Sequence, residues 1–458
     1  MTRRPIAALL ASTLLACSSP SKEPGALGPE EVRVTKVTLA LSPETAVRPQ
    51  GPAAEHFDPG FPVSLGSGLC FARRDGDAIE LWAISDRGPN GDGPTYVGAG
   101  GAEAPSKLFG APDFSPVAAK LRLSGAQAEV VRFHALVGSD GQPLSGLPRP
   151  AGPGSTGEVA LNEDLQVIES AASGIDPEGV AVDGEGKLWV CDEYGPDLLR
   201  IDPESGAVLT HLRPGAGLPA EVARRIPNRG FEGVCVTPSG KVIAGLQSVC
   251  VASDGGREAT FLRLVEVDPQ SGATRTFAYP HDGSAYRKPR DAKLGDLCAL
   301  SDHELLLIEQ GKTADGQRNV IYRIDLRGAS DVTGLTREDG SALEGADAAE
   351  LEALGVNLVR KQRILDLVDL GWSVEKAEGL AIVDGRTLAV IADHDFGLET
   401  KLLDPLDGND DVEDYTVRDG VLHLDGKPAP NAKLRMLPSG EPTTLWLIEL
   451  PEALPLER

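Results

Sequence analysis

Carboxylates recur in this chain as pairs set 13 to 15 positions apart: Glu178 with Asp192, Glu232 with Gln247 in the second place, Asp296 with Glu309, and Glu378 with Asp393. Glu193 follows Asp192 directly, Asp395 lies two residues after Asp393, and Ser67-Gly68-Leu69-Cys70 leads in the same way to Asp86. Cations are interleaved with them. Arg229 precedes Glu232, Lys293 precedes Asp296, Lys376 precedes Glu378, and Arg87 follows Asp86. Alternating carboxylates and cations suit a site where a hard cation, chiefly calcium, is held by oxygen ligands while Lys and Arg take an anionic oxygen. On this reading Glu178, Glu193, Glu232, Glu309, Asp393 and Asp395 are the candidate metal ligands. Asp86, Glu178, Asp192, Glu232, Glu378 and His394 are the candidates for water activation and proton transfer, and Arg87, Arg229, Lys293 and Lys376 for holding a small anionic phosphoester. The plainer reading stands beside it: an acid before glycine caps a turn, and acid–base pairs order a channel mouth by ion pairing. Likewise His394, between Asp393 and Asp395, can be acid, base, ligand or simply structural.

Other chemistries lack their local signs. There is no Gly-x-Ser-x-Gly elbow, although Ser67 lies between Gly66 and Gly68, and there is no phosphate loop or dinucleotide fingerprint. No cysteine spacing fits zinc. The dense acidic stretch Asp404, Asp407, Asn409, Asp410, Asp411, Glu413 and Asp414 lacks EF-hand spacing and reads either as a calcium loop or as a solvated one.

Each acidic pair brackets two short apolar runs joined by a turn. In Asp176–Gly195 the runs are Val180–Val182 and Leu188–Cys191, split by Asp183-Gly184-Glu185-Gly186, which is a hairpin signal. Units begin near 67, 178, 232, 296 and 378. A four-stranded unit recurring at such intervals predicts an all-β chain folded as a single β-propeller, with the acids of every blade brought to one rim. The gap from 67 to 178 has room for a further blade, with strands within 121–133 and 157–169, giving six blades, with seven as the alternative. Residues 346–370 carry the one helix-like stretch, a predicted helical or mixed insertion before the last blade. Val32–Leu41 reads as a strand whose apolar residues change phase near Thr35-Lys36, a bulge signal, and its pairing with Thr444–Leu450 would close the ring.

Residues 1–17 read as a signal peptide: Arg3 and Arg4, a short apolar run, then Leu14-Leu15-Ala16-Cys17, the pattern in which a cysteine is lipidated. Residues 18–31 read as a flexible tether and 32–458 as the propeller domain. The expected setting is a bacterial cell envelope, lipid-anchored through Cys17 on the periplasmic or extracellular side. Cys70, Cys235 and Cys298 share a repeat position with Ala181 and Ala381, which marks a small buried site; a Cys235–Cys250 disulfide is a further possibility. A net charge of -25 argues against nucleic acid as a partner. The chain is expected to act as a monomer.

The segments Gly66-Ser67-Gly68-Leu69 with Asp86-Arg87-Gly88-Pro89-Asn90, Asp176-Pro177-Glu178-Gly179 with Asp192-Glu193-Tyr194-Gly195, Asn228-Arg229-Gly230-Phe231-Glu232-Gly233 with Gln247-Ser248, and Glu378-Gly379-Leu380-Ala381 with Asp393-His394-Asp395-Phe396-Gly397 occur in order. Over roughly Pro62 to Leu450 the chain thereby resembles the bacterial "esterase-like activity of phytase" family. The resemblance implies a secreted or envelope-attached β-propeller with phosphoester or ester hydrolysis as its activity; the alkaline β-propeller phytases bind several calcium ions in an acidic channel, with which this rim is compatible, although their ligand motifs do not match this sequence one by one. Gly295-Asp296-Leu297 departs from the glutamate-glycine form, which tells against a strictly symmetric metal site. Two other functions fit the same rim: a non-catalytic envelope protein that binds a ligand or partner, and a metal-dependent lactone or carboxyl-ester hydrolase.

Overall fold

The computed structural model describes residues 27–250, 256–441 and 443–457. The proposed signal peptide, Cys17 and the first part of the tether lie outside them. Within them the regular structure is mainly strand, with short 3-10 turns and one α-helix, Ala348–Ala353.

Five four-stranded antiparallel blades make the propeller. The first is Gly68–Asp75, Ala78–Ile84, Val117–Ser124 and Gln127–Ala135; the second begins with Pro177–Val182, the third with Phe231–Val236, and the fourth with Lys293–Ala299. The fifth consists of Gly379–Asp384, Thr387–Ile391, Leu445–Glu449 and, as its outer strand, the N-terminal Arg33–Ala40. The five innermost strands pack side by side in a closed cycle, the fifth returning to the first. Five apolar layers fill the gaps between blades, and alternation along a strand feeds two layers at once. Leu188 and Val190 face the first blade, whereas Trp189 and Cys191 face the third. A sheet buried on both faces needs apolar residues at every position, hence the unbroken runs Leu305–Ile308 and Leu388–Ile391.

The expectation of six blades, or seven, is therefore corrected to five. The strands within 121–133 are the outer pair of the first blade, separated from its inner pair by an insertion. Val159–Leu161 joins Ser106–Phe109 and Asn90–Asp92 in a small sheet outside the ring. Of the two forms expected over 346–370, helical or mixed, the mixed one is found. The helix is confined to Ala348–Ala353, capped by Asp347, and Arg360–Asp366 is the outer strand of the fourth blade. The tether ends earlier than residue 31, since the Leu27 N–H donates to Ile364 O at 2.7 Å.

Pairing of the chain termini holds, with register Arg33↔Glu449 through Val37↔Leu445. It contains no bulge. The phase change has another cause: Val32 and Val34 pack into the layer between blades four and five, whereas Val37 and Leu39 pack on the opposite face, toward blade one. Residues Thr38–Ala40 then run parallel to Gln127–Glu129 of the first blade. Cys235 and Cys250 are free and lie on opposite faces of the third blade, so no disulfide joins them.

A ring of only five blades brings its inner strands very close at the axis. A Cβ on Gly179 would lie 2.9 Å from Gly233 Cα, and one on Gly233 would lie 2.6 Å from Asp296 Cα. This crowding explains glycine after the rim glutamate. Gly233→Ala presses a methyl group against backbone that cannot move aside, and is expected to lower stability by roughly 1–3 kcal/mol, measured as a drop in melting temperature.

Candidate functional site

In blades two, three and four the axial acid sits on a local irregularity of the ladder. Register shifts between Pro177 and Gly179, between Phe231 and Gly233, and between Leu294 and Leu297 leave Glu178, Glu232 and Gly295-Asp296 out of regular pairing. A bulge of this kind re-aims a side chain, here from the inter-blade layers into the axis. Where glutamate precedes glycine, the carboxylate enters the mouth of the channel. In the fourth blade the order is Gly295-Asp296, one position later, and Asp296 turns inward instead. Its carboxylate accepts the N–H groups of Leu69 at 3.0 Å, Leu380 at 3.1 Å and Leu297 at 2.9 Å, together with that of Val234. Asp296 thus ties blades one, three, four and five together below the site and is no part of it.

Above it lies a cavity of about 740 Å³. Blades contribute Asp86, Arg87, Asp176, Glu178, Glu193, Arg229, Glu232, Gln247, Lys293, Lys376, Glu378, Asp393, His394 and Asp395 to its lining. The insertions of blades one and five raise its wall on one side, with Asn90, Asp92, Lys107, Glu399 and Thr400. Of the candidate metal ligands, proton-transfer groups and substrate-holding cations named from sequence, all but Asp192 and Glu309 are brought together here.

Asp192 is fully buried behind the rim. It pairs with Arg149 at 2.7 Å and accepts the N–H groups of Asp176, Tyr194 and Gly195, holding the turn that presents Asp176 and Glu193. Glu309 is saturated by Tyr279 Oη, Tyr286 Oη, Lys361 Nζ and the Asp282 N–H, a cluster between the outer parts of blades three and four. Neither faces the cavity, so the expected roles of Asp192 in water activation and of Glu309 as a metal ligand are set aside.

Asp176 was missed as a site residue. It belongs with Glu178 and Glu193 to a trio whose ligand oxygens all lie within 4.8 Å of one another, and Asp86, Asp393 and Asp395 form a second such trio. The signal for Asp176 was present in Asp176-Pro177-Glu178, where an acid two positions ahead of the rim glutamate returns to the same mouth.

Glu178 accepts no hydrogen bond from any described residue. Burial, with Asp176, Glu232, Glu193 and Glu378 around it, pushes its carboxyl well above the usual range. Gln247 Nε2 bridges Glu193 Oε1 and Glu232 Oε2, at 2.7 Å each, leaving Gln247 Oε1 buried and without a partner. Glu378 Oε2 and His394 Nδ1 are also buried and unpartnered. Burial raises Glu378 to about 8 against the opposing pull of Lys376, with Asp393 and Asp395 adding to the rise. Asp393 goes the other way, to about 2: burial would raise it, but Lys376, the Ser64 hydroxyl at 2.7 Å and His394 outweigh that. Burial lowers the His394 pKa, partly offset by Asp393 and Asp395.

The cations divide into committed and free. Arg87 is held by Glu158 at 3.0 Å and lies 3.6 Å from Asp176; Lys376 is 2.9 Å from Asp395 and 3.3 Å from Asp393. Arg229 makes hydrogen bonds only to Ser248 Oγ and Arg290 O, and Lys293 has no ion pair within 4.0 Å among the described residues. The acidic loop at 404–414 reaches the cavity through Val412, but its carboxylates stay out of the lining: Asp411 accepts the Glu413 N–H, Asn409 Nδ2 donates to Asp414, and none joins a three-ligand cluster among the described residues.

A family model described as "esterase-like activity of phytase" matches residues 62–396. The chain belongs to this phytase-like family. An "uncharacterized secreted protein" of Arthroderma benhamiae is 24% identical over 336 residues, which is 60% of this chain and 64% of that relative's length. Virginiamycin B lyase from Staphylococcus aureus aligns with 80% of this chain and 97% of its own at 12% identity and a TM-score of 0.30. The GH62 α-L-arabinofuranosidase catalytic domain from Coprinopsis cinerea covers 92% and 98% at 11% identity and a TM-score of 0.36. At these scores the propeller assignment stands on strand pairing, not on these neighbours. Among the described residues no helix is long and apolar enough to cross a membrane.

Proposed function

We propose that the axial cavity is the active site of a metal-assisted ester hydrolase, with small phosphoesters as its first substrate class and calcium as its cation. The observation that carries this reading is Glu178: a buried carboxylate with four more carboxylates around it, in a cavity that also holds the buried, unpartnered Gln247 Oε1. Such a group is stabilised by a proton or by a cation, and an all-oxygen donor set selects a hard one. Asp176, Glu178 and Glu193 would hold it, with Gln247 Oε1 at hand. A divalent cation bound there supplies Lewis-acid polarisation of the ester and acidification of water.

The chain's own residues supply the rest. Arg229 and Lys293, free of carboxylate partners, take the anionic oxygens of the substrate. Glu378, with its pKa near 8, still carries a proton at neutral pH and can release it from Oε2 to a departing oxygen. The Gln247 amide fixes Glu193 and Glu232 relative to one another. The family's description as esterase-like supports a second reading, in which the same machinery opens a carboxyl ester or lactone.

Calcium titration by calorimetry, with hydrolysis of p-nitrophenyl phosphate and p-nitrophenyl acetate in parallel, tests both. Glu178→Gln is expected to abolish calcium binding and to lower turnover at least about 100-fold, the scale on which a single polarising or proton-transferring group acts. Calcium binding unchanged in Glu178→Gln would sink the metal reading. Binding without turnover of any ester would favour the ligand-binding propeller instead. The relative described as secreted supports a place outside the cytoplasm. Attachment through Cys17 predicts incorporation of labelled palmitate that Cys17→Ser eliminates.

A further inference from the structure

The two carboxylate trios differ in what already neutralises them. In the first, Arg87 reaches only Asp176, and it is shared with Glu158. Glu193 Oε1 accepts from Gln247 Nε2 at 2.7 Å, Glu178 opens to the cavity with no cation within 4.0 Å among the described residues, and Gln247 Oε1 is buried without a partner. In the second, the oxygens are assigned. Asp393 Oδ1 accepts from Ser64 Oγ at 2.7 Å and from the Asp395 N–H at 3.1 Å, while Asp86 Oδ1 accepts the Gly88 N–H at 2.7 Å. An ammonium group meets one oxygen on each of two members of the trio and approaches the neighbouring glutamate: Lys376 Nζ is 2.9 Å from Asp395 Oδ1, 3.3 Å from Asp393 Oδ2 and 3.9 Å from Glu378 Oε2.

Given the reading of the first trio as the cation site, on which this step rests, the geometry points to Lys376 as a tethered counter-ion that fills the second trio. The cavity then takes one divalent ion per chain, not two.

Three features support it. Lys376 belongs to the segment that delivers Glu378 to the rim, so its ammonium reaches the trio with every folded molecule and needs no free ion. Asp395 and Phe396 both adopt left-handed backbone, at φ 47° and 54°, a conformation non-glycine residues hold only when the surroundings enforce it. Phe396 is fully buried and packs edge-on against Phe114, with ring centroids 5.3 Å apart, which anchors the turn. The turn thereby aims Asp395 at Lys376. Finally, a divalent ion entering the second trio would have to displace the ammonium and leave two like charges side by side in a part-buried space.

One consequence is a division of labour. Lys376 neutralises protein carboxylates and is unavailable to substrate, so substrate anions fall to Arg229 and Lys293.

Calcium stoichiometry of the purified chain decides the matter. Wild type and Lys376→Arg are expected to bind one ion. Lys376→Met, which removes the charge and keeps the stem, is expected to bind two, and Asp395→Asn in that background returns it to one. Glu178→Gln combined with Lys376→Met retains the new ion alone. Should Lys376→Met fail to fold, Asp395→Asn in the wild-type background serves: it is expected to keep one ion with affinity changed by less than about threefold, whereas it would lose an ion if the second trio held one. Two ions in wild type, or one in a folded Lys376→Met, would overturn the assignment. A wild type that binds none overturns the reading of the first trio, and Lys376 is then judged by whether Lys376→Met gains an ion.

Discussion

Asp296→Ala is expected to leave little folded protein. The carboxylate accepts backbone N–H groups from Leu69, Val234, Leu297 and Leu380, one from each of four blades, at the most crowded point of the molecule. Alanine leaves these donors buried and unpaired. At about 1–3 kcal/mol for each orphaned group, the sum approaches the roughly 5–15 kcal/mol that holds a typical domain folded. Water cannot readily substitute where the inner strands nearly touch. Circular dichroism and thermal melting should show loss of the cooperative transition, or a melting temperature lowered by more than about 10 °C. Asp296→Asn keeps one acceptor oxygen and should fall between. An alanine variant melting within a degree or two of wild type would contradict the role given to Asp296.

Calcium and pH should act on stability in opposite directions. Burial holds Glu178, Glu193, Glu232 and Asp86 well above the usual carboxylate range and Glu378 at about 8. The sign follows from linkage. A carboxyl whose folded pKa exceeds its unfolded one keeps its proton in the folded state while the unfolded chain releases it, so folding stability falls as pH rises through that interval. For Glu378 the interval runs from 4.5 to about 8. At about 1.4 kcal/mol per pH unit its share alone is on the order of 4 kcal/mol by pH 8. The metal-free protein should therefore melt highest near pH 5 and lose stability steadily toward pH 8. Asp393, held near 2, does not contribute to this interval. A cation that binds the ionised carboxylates reverses the trend, so the gain in melting temperature on adding calcium should grow with pH. Melting curves from pH 5 to 8, with calcium and with chelator, measure both effects. A calcium gain that shrinks as pH rises would run against the site described above.

The sequence revealed the repeating unit well because its two signals are local. Apolar runs such as Leu188–Cys191 and the recurrent acid-glycine pair are fixed by burial on both faces and by crowding at the axis. Blade number was misread because it depends on what happens between units. The first blade is interrupted by a long insertion, so its outer strands at Val117–Ser124 and Gln127–Ala135 look like a separate repeat, and only pairing shows otherwise. The short helix illustrates the same limit. Leu351, Leu354 and Leu358 keep a helical period, but Arg360–Asp366 is recruited as a strand by its neighbour at Gln317–Asp325.

The rim acids were legible wherever the glutamate-glycine order was kept. The residues that close the second strands were less so. Asp192 and Glu309 occupy the expected register, yet each is claimed by partners distant in sequence, Arg149 in one case and Lys361 with two tyrosines in the other. No local pattern announces such partners. Lys376 could be placed near the rim from spacing, but its commitment to three carboxylates rests on the turn at Asp395-Phe396.

Strand Arg33–Ala40 sits between the third strand of the last blade and the outer strand of the first. One neighbour completes the first blade to be made, and the other is among the last strands of the propeller to leave the ribosome. Until Leu445–Glu449 is available, the ring has no clasp, and the edges of the first and last blades stand open to other chains. Closing a loop of this length slows folding far more than it weakens the finished fold. Synthesis of this protein should therefore include a long interval in which most blades can form locally while the circle is still broken. A chaperone that shields strand edges would act in that interval, and a chain cut short before its final strand would be prone to aggregate however sound its first four blades.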